Sequence, residues 1–240
     1  MTASEHSRPT RQDAGTTNGG RQTRIKICGL RDIETALVAA EAGADYVGFV
    51  FVERSPRFIA ADAAKSIVLQ LPRSVTPVAL VNHLTHRGQF FQLAHDSGIT
   101  LFQLHGREVP ALAATIEQLK LWRALPAEKA ADQDLIEAWS GHANVEALLW
   151  DAPTSPDNPL GGGSGHTSDW AWLGKHLPTA RPSILAGGLT PDNVGEAIRT
   201  VRPWAVDVSS GVESSRGVKD PAKIADFCAA VRAADAELRD

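Results

Sequence analysis

At 240 residues, 43% of them hydrophobic and 22% charged, the chain has room for one α/β barrel or one to two smaller domains around a sizeable core. A formal net charge of −4 denies it the basic footprint of a nucleic-acid binder, and no apolar run reaches the roughly 18 to 20 residues of a membrane span. The two cysteines, Cys28 and Cys228, are far apart and lack partner spacing; this argues against a disulfide framework or a zinc knuckle and suits a reducing cytoplasm.

Residues 1–23 are polar, with Gly19-Gly20, scattered Arg and Thr and almost no aliphatic side chains. Such a segment buries too little apolar surface to offset its ordering entropy and is expected to be a disordered N-terminal extension. It lacks the apolar stretch of a secretory signal, and Glu5 and Asp13 count against an organelle transit peptide. From Arg24 onward one pattern recurs: a short apolar run, a polar or Gly-rich turn, then helical periodicity. Strands are expected at 24–28, 45–51, 76–81, 100–104, 119–124, 146–151, 182–186 and 204–209. Helices are expected at 32–42, 60–70, 86–97, 108–117, 131–140, 169–176, 191–200 and 219–233. Asp32 and the Pro191-Asp192-Asn193 run look like helix starts, and Gly43 and Gly98 like stops. Eight strand–helix units over residues 24–240 average about 27 residues each, close to the proportions of a (β/α)8 barrel of about 250 residues. An open doubly wound sheet is the alternative, but its G-x-G-x-x-G turn is missing after the first strand, which runs into Cys28-Gly29-Leu30-Arg31. The expectation is therefore a single-domain TIM barrel, 24–240, behind the tail.

In such a barrel chemistry collects where strands end and βα loops begin. Strand alternation puts Lys26 and Cys28 on one face of the first strand, with Ile25 and Ile27 on the other. Cys28 is either a small buried hydrophobe or a reactive thiol. Asp151 closes the apolar run Ala147-Leu148-Leu149-Trp150; it is either a turn aspartate or, if partly desolvated, an acid with a raised pKa. Ending strands one and six, the two can face each other across the barrel mouth. Arg57, after Ser55-Pro56, is placed to fork onto an acidic substrate group or to lie solvated in its loop. His105 is read as a possible base or, more readily, as a hydrogen-bonded structural histidine. The loops Gly187-Gly188-Leu189-Thr190-Pro191 and Asp207-Val208-Ser209-Ser210-Gly211 follow strands seven and eight, where many barrels hold a phosphate. Thr190 is expected to cap a helix beginning at Pro191. The long segment 152–168, rich in Pro and Gly, is placed to act as a lid beside Asp151. Strand ends at Asn82 and Arg123 complete the rim, no His/Asp/Glu grouping has convincing metal spacing, and Cys228 is expected in the core.

These motifs together resemble the phosphoribosylanthranilate isomerase family of tryptophan biosynthesis. The likeness runs from about Arg24 to the last helix and is carried by Lys26-Ile27-Cys28-Gly29, Gly43-Ala44-Asp45-Tyr46-Val47-Gly48-Phe49-Val50-Phe51, Ser55-Pro56-Arg57, Gln103-Leu104-His105-Gly106, Leu149-Trp150-Asp151, Gly162-Gly163-Ser164-Gly165, Ala186-Gly187-Gly188-Leu189 and Val206-Asp207-Val208-Ser209-Ser210-Gly211-Val212-Glu213. It implies an Amadori rearrangement of N-(5-phosphoribosyl)anthranilate, with Asp151 as general acid and the Cys28 thiolate as general base. It implies that Arg57 meets the anthranilate carboxylate, that Lys26, His105 and Asp207 belong to the substrate-binding set, and that Gly187, Gly188, Ser209, Ser210 and Gly211 hold the phosphate. No metal or organic cofactor is implied. An ordinary thiol pKa of about 8.5 leaves little thiolate at neutral pH, and Lys26 is the candidate for lowering it. Trp150, in a position where a small aliphatic residue is more usual, is expected to alter packing outside the barrel and not the chemistry. The lid carries extra residues, Ser155 to Leu160 and an added Gly, which bear on lid kinetics.

Two rival readings stay open. A metal-dependent sugar-phosphate epimerase needs histidines and acids that are missing at the strand ends, and a bifunctional histidine–tryptophan isomerase would be expected to use an aspartate where Cys28 stands. A catalytically idle barrel that only binds a sugar phosphate or a partner protein is the other. The sequence leaves monomer and homodimer undecided.

Overall fold

The computed structural model describes residues 22–127, 132–152 and 168–239. Among these, eight parallel strands close into a barrel in sequential order: β1 (Arg24–Cys28), β2 (Tyr46–Val50), β3 (Thr76–Val81), β4 (Leu101–Leu104), β5 (Lys120–Pro126), β6 (Val145–Asp151), β7 (Ser183–Leu185) and β8 (Ala205–Val208), with β8 pairing back onto β1. The helices between them are α1 (Ile33–Glu41), α2 (Ala61–Val68), α3 (Arg87–Ser97), α4 (Ala111–Thr115), α5 (Gln133–Ser140), α6 (Trp170–His176), α7 (Val194–Val201) and α8 (Pro221–Glu237). Every expected strand and helix is present, and the TIM barrel stands.

The strands are buried on both faces, as a parallel sheet flanked by helices requires. Their outward residues, such as Ile25, Ile27, Val47, Phe49, Leu148, Leu185, Val206 and Val208, pack with the helices in one continuous core. Trp150 belongs to this outer layer, where its indole Nε1 donates to Ser183 Oγ at 3.2 Å. The inward residues form a second cluster. At the N-terminal end of the barrel it becomes an aromatic plug. Tyr46 and Trp122 meet edge-on with centroids 4.7 Å apart, Trp122 and Trp204 at 6.1 Å, and the Arg24 guanidinium lies over Trp204. That plug fills the bottom of the barrel, at the end opposite to where the strands finish.

Local chemistry explains most boundaries. Asp32 caps α1 by accepting from the Thr35 amide, and Gly98 ends α3 in a left-handed conformation. α7 differs from expectation. It begins at Val194, because Asn193 reaches back to accept from the Thr190 amide and donate to the Gly188 carbonyl, holding 190–193 as a turn instead of letting Thr190 cap. α8 likewise starts at Pro221 behind an Asp220 cap, since the residues before it form an unexpected hairpin, β9 (Glu213–Ser215) with β10 (Val218–Lys219). β5 runs on to Pro126, so Arg123 is not a strand end. Thr23, read as the last residue of the tail, is buried: its amide and hydroxyl both bond to Asp235 of α8. Residues 1–21 and the lid segment 153–167, with its glycine run, lie outside the described residues. Among the described residues no helix is long and apolar enough to cross a membrane.

Candidate active site

The mouth is organised by the pairing of β1 with β8. Their register sets Lys26 directly opposite Asp207, both inward, and Lys26 Nζ donates to Asp207 Oδ1 at 2.9 Å. Lys26 is fully buried. One turn of alternation higher, Cys28 ends β1 on the same face. Gly48, opposite Cys28 on β2, makes the room: a Cβ there would lie 2.9 Å from Cys28 Sγ and 3.1 Å from Lys26 Cε.

Burial works against the Lys26 charge, but Asp207, with Cys28 behind it, more than offsets this and holds the ammonium above the ordinary lysine value. The thiol behaves otherwise. Burial pushes Cys28 up; Lys26 pulls it down, Asp207 adds to the rise, and Lys219 lends a weaker downward pull, with a net result above the ordinary thiol. Lys26 is the foremost influence that lowers the thiol, yet the net value stays above the ordinary one. The cation acts in the expected direction, but it is already committed to Asp207 and desolvation of the thiolate outweighs it.

Asp151 ends β6 pointing inward, and burial, reinforced by the Asp207 charge, lifts its carboxyl to about 7 against smaller opposing pulls from the Ala152 amide and Lys26. His105 follows β4, and its Nε2 lies 3.4 Å from Asp151 Oδ2. Burial holds the imidazole below the ordinary histidine value, so a neutral ring faces a carboxyl that is half-protonated near neutrality. Behind His105, Glu108 ties its loop together, accepting from the amides of His83 and Gly106 and from Arg123 Nη1, while Arg123 Nη2 donates to the Gly106 carbonyl. Arg123 therefore faces outward, its guanidinium over Trp139 of α5, and is absent from the mouth.

Arg57 lies across the end of β1, where a Cβ on Gly29 would sit 2.6 Å from its Cδ. Its fork is occupied: Nε and Nη2 donate to the two oxygens of Glu213 at 2.6 and 3.0 Å. Glu213 sits on β9 and also receives Lys219 of β10, whose Nζ reaches Ser209 O as well. Neither Glu213 nor Lys219 stood out in the sequence as a site residue; only the ion pairs that a folded barrel creates reveal them.

The two candidate phosphate loops touch. Gly187 and Gly188 have φ of 85° and 66°, conformations that favour glycine. Gly187 packs against Ala152, and Gly211 lies so close under the Leu189 carbonyl that no Cβ fits between them. Ser210 and Gly211 open a single 3-10 turn, Ser210–Val212. Ser209 spends its hydroxyl on the Cys28 carbonyl at 3.1 Å, so any contact it makes with an anion is left to its backbone. Cys28, Asp151, His105, Lys26, Asp207, Arg57 and both loops thus gather at one end of the barrel, while Cys228 is buried in α8.

Comparison with known proteins places the chain in a family. A family model described as N-(5'phosphoribosyl)anthranilate (PRA) isomerase matches residues 25–230. The N-(5'-phosphoribosyl)anthranilate isomerase of Pseudomonas putida strain GB-1 is 41% identical over 213 residues, covering 88% of this chain and 98% of that one. The crystal structure of the Thermus thermophilus phosphoribosyl anthranilate isomerase superposes with a TM-score of 0.76 at 33% identity, over 88% of this chain and 99% of that one. A second isomerase, solved in complex with reduced 1-(o-carboxyphenylamino)-1-deoxyribulose 5-phosphate, gives a TM-score of 0.73 at 32% identity over 88% of this chain and all of its own. A closed barrel with a buried thiol and a buried acid at its mouth, matched over nearly its whole length by these relatives, belongs to the N-(5'-phosphoribosyl)anthranilate isomerase family.

Proposed function

We propose that the chain isomerises N-(5-phosphoribosyl)anthranilate to 1-(2-carboxyphenylamino)-1-deoxyribulose 5-phosphate, a step of tryptophan biosynthesis, with Asp151 as acid and Cys28 as base. The observation that carries the assignment is a carboxyl held at about 7 and a buried thiol that end β6 and β1 on the inner face of one rim. Protonated Asp151 gives its proton to the ribose ring oxygen as the C1–O bond breaks, leaving an iminium at C1. Cys28, as thiolate, removes the C2 proton, and the electron pair of that C–H bond neutralises the iminium to an enolamine. Loss of the proton from the C2 hydroxyl and gain of one at C1 give the ketone.

Each role follows from its surroundings. An acid near 7 is half-loaded at neutral pH and releases its proton readily. The thiolate is a minority form, yet Lys26 and Lys219 favour it in a site where desolvation makes it a strong base. Neutral His105 orients the Asp151 carboxyl through its Nε2. Arg57 offers the substrate carboxylate the guanidinium edge that Glu213 leaves open, and the β7 and β8 loops take the phosphate on backbone amides. A base that must remain a free thiol suits the cytoplasm.

The direct test is the loss of substrate fluorescence on adding the purified chain to phosphoribosylanthranilate, with Cys28→Ala and Asp151→Asn alongside. Turnover by the parent and a loss on the order of 10²- to 10⁴-fold in each variant are expected. A parent without turnover leaves a barrel that binds and does not catalyse; a Cys28→Ala variant at parental rate moves the base elsewhere.

A further inference from the structure

One carboxylate at the mouth is not used by the reaction scheme. Glu213 is buried at the seam between the β2–α2 loop and the β9–β10 hairpin. Its Oε1 accepts from Arg57 Nε at 2.6 Å and Lys219 Nζ at 2.9 Å; its Oε2 accepts from Arg57 Nη2 and the Gly217 amide, both at 3.0 Å. Four donors from three residues leave the carboxylate no freedom to turn. Its backbone carbonyl is held as well, by Lys223 Nζ.

The partners lead to both halves of the substrate. The Arg57 turn is braced from below, because the Arg57 amide donates to Ser55 Oγ and Gly217 presses on the Pro56 carbonyl with no space for a Cβ. Lys219 continues to Ser209, donating to its carbonyl at 2.7 Å and reaching its hydroxyl at 3.3 Å, and that hydroxyl donates to the Cys28 carbonyl. A continuous chain of polar contacts therefore joins Arg57 to the β8 loop and to the backbone of the base.

We propose that Glu213 is a positioning residue: it locks the Arg57 fork so that the open guanidinium edge meets the aromatic carboxylate of the substrate, and it fixes that carboxylate's place relative to Cys28 through Lys219 and Ser209. The substrate named here rests on the function proposed above. A long cationic side chain loses much rotamer freedom when it binds, and a fork already held by one carboxylate has lost that freedom in advance. Glu213 therefore acts on substrate capture more than on the proton transfers.

Glu213→Gln keeps the shape and removes the charge. We expect KM for phosphoribosylanthranilate to rise on the order of tenfold or more, with kcat changed far less. Because the effect passes through Arg57, Glu213→Gln added to Arg57→Ala is expected to raise KM no further. An unchanged KM in the single variant, or an undiminished effect in the Arg57→Ala background, overturns the inference while leaving the isomerase reading intact. Labelling of Arg57 by phenylglyoxal, followed by peptide mass mapping, needs no turnover and is expected to be faster in Glu213→Gln than in the parent. Equal labelling overturns the lock, and a parent that labels slowly but does not turn over the substrate counts against the isomerase reading alone. Should Glu213→Gln not fold, Glu213→Asp, which is too short to reach Arg57 and Lys219 together, takes its place in the same measurements, with the same outcomes supporting or overturning the lock.

Discussion

The two sides of the mouth, proposed above as acid and base, are built on different electrostatic plans. Around Asp151, between β4 and β6, the neighbour within reach is a neutral imidazole, and the full charges of Glu108 and Arg123 are paired off behind it. Around Cys28, at β1, β2 and β8, Lys26, Lys219, Asp207 and Glu213 crowd together in two buried ion pairs. Both groups nevertheless hold their proton to higher pH than usual, because burial is the largest influence on each. The difference lies in what opposes burial. For the acid only the Ala152 amide and a smaller pull from Lys26 do, while Asp207 adds to the rise, and it settles near 7; for the thiol Lys26 leads, helped by Lys219, and the two cations make its ionised form reachable without making it the resting form.

The largest effect expected from breaking this contrast is at the Lys26–Asp207 pair, which serves the base side directly. Lys26→Met strands a buried carboxylate and should cost about 3–5 kcal/mol of stability, readable as a fall in denaturation midpoint. The same variant should also push the Cys28 thiol further up, moving the alkaline limb of the pH–rate profile; an unmoved limb takes Lys26 out of the base's chemistry. Next comes the profile of the parent. In the proposed mechanism the competent form has Asp151 protonated and Cys28 ionised, while the carboxyl has the lower pKa of the two. Below about 7 kcat/KM should rise with pH as thiolate accumulates, run level while gained thiolate is offset by lost acid, and fall only above the thiol's own pKa. These limbs belong to the coupled pair and not to either residue alone. A maximum below about pH 6 would mean that the thiol ionises before the acid does.

The smallest effect concerns stability on the acid side. The Asp151 carboxyl is about 7 when folded against a usual 3.8, so between these values the folded state holds the extra proton. Folding stability from this group is therefore present at low pH and lost as pH rises toward about 7. Asp151→Asn abolishes that loss. It should match the parent near about pH 4 and melt higher at about pH 8, by on the order of several °C. A variant that melts lower at the higher pH would show the carboxylate to be a satisfied structural partner and not a strained acid.

Much of this was readable from residues alone, for definite reasons. Inward and outward faces follow from strand alternation, so Lys26 with Cys28 and the rim position of Asp151 needed only correct strand ends. What failed depended on partners distant in sequence. Arg57 and Glu213 are 156 residues apart, and no local pattern says which carboxylate a loop arginine will find. Arg123 stood at an apparent strand end because β5 extends beyond it, and its burial over Trp139 depends on where α5 lands. The sign of the Cys28 shift escapes the sequence for a related reason. Lys26 was visible as a neighbour, whereas its prior commitment to Asp207 and the depth of the thiol come from closing β8 onto β1.

The plug at the bottom of the barrel has a consequence for how folding can be watched. Tyr46, Trp122 and Trp204 come from β2, from β5 and from just before β8, so their ring contacts require strands far apart in the chain to meet across one axis. Helices and neighbouring strand pairs can form without bringing these rings together. Near-ultraviolet circular dichroism from this trio therefore marks the moment the ring closes, separately from the far-ultraviolet signal of its walls. The enzyme carries at its base a native optical gauge of closure, at the opposite end of the barrel from the chemistry it shelters.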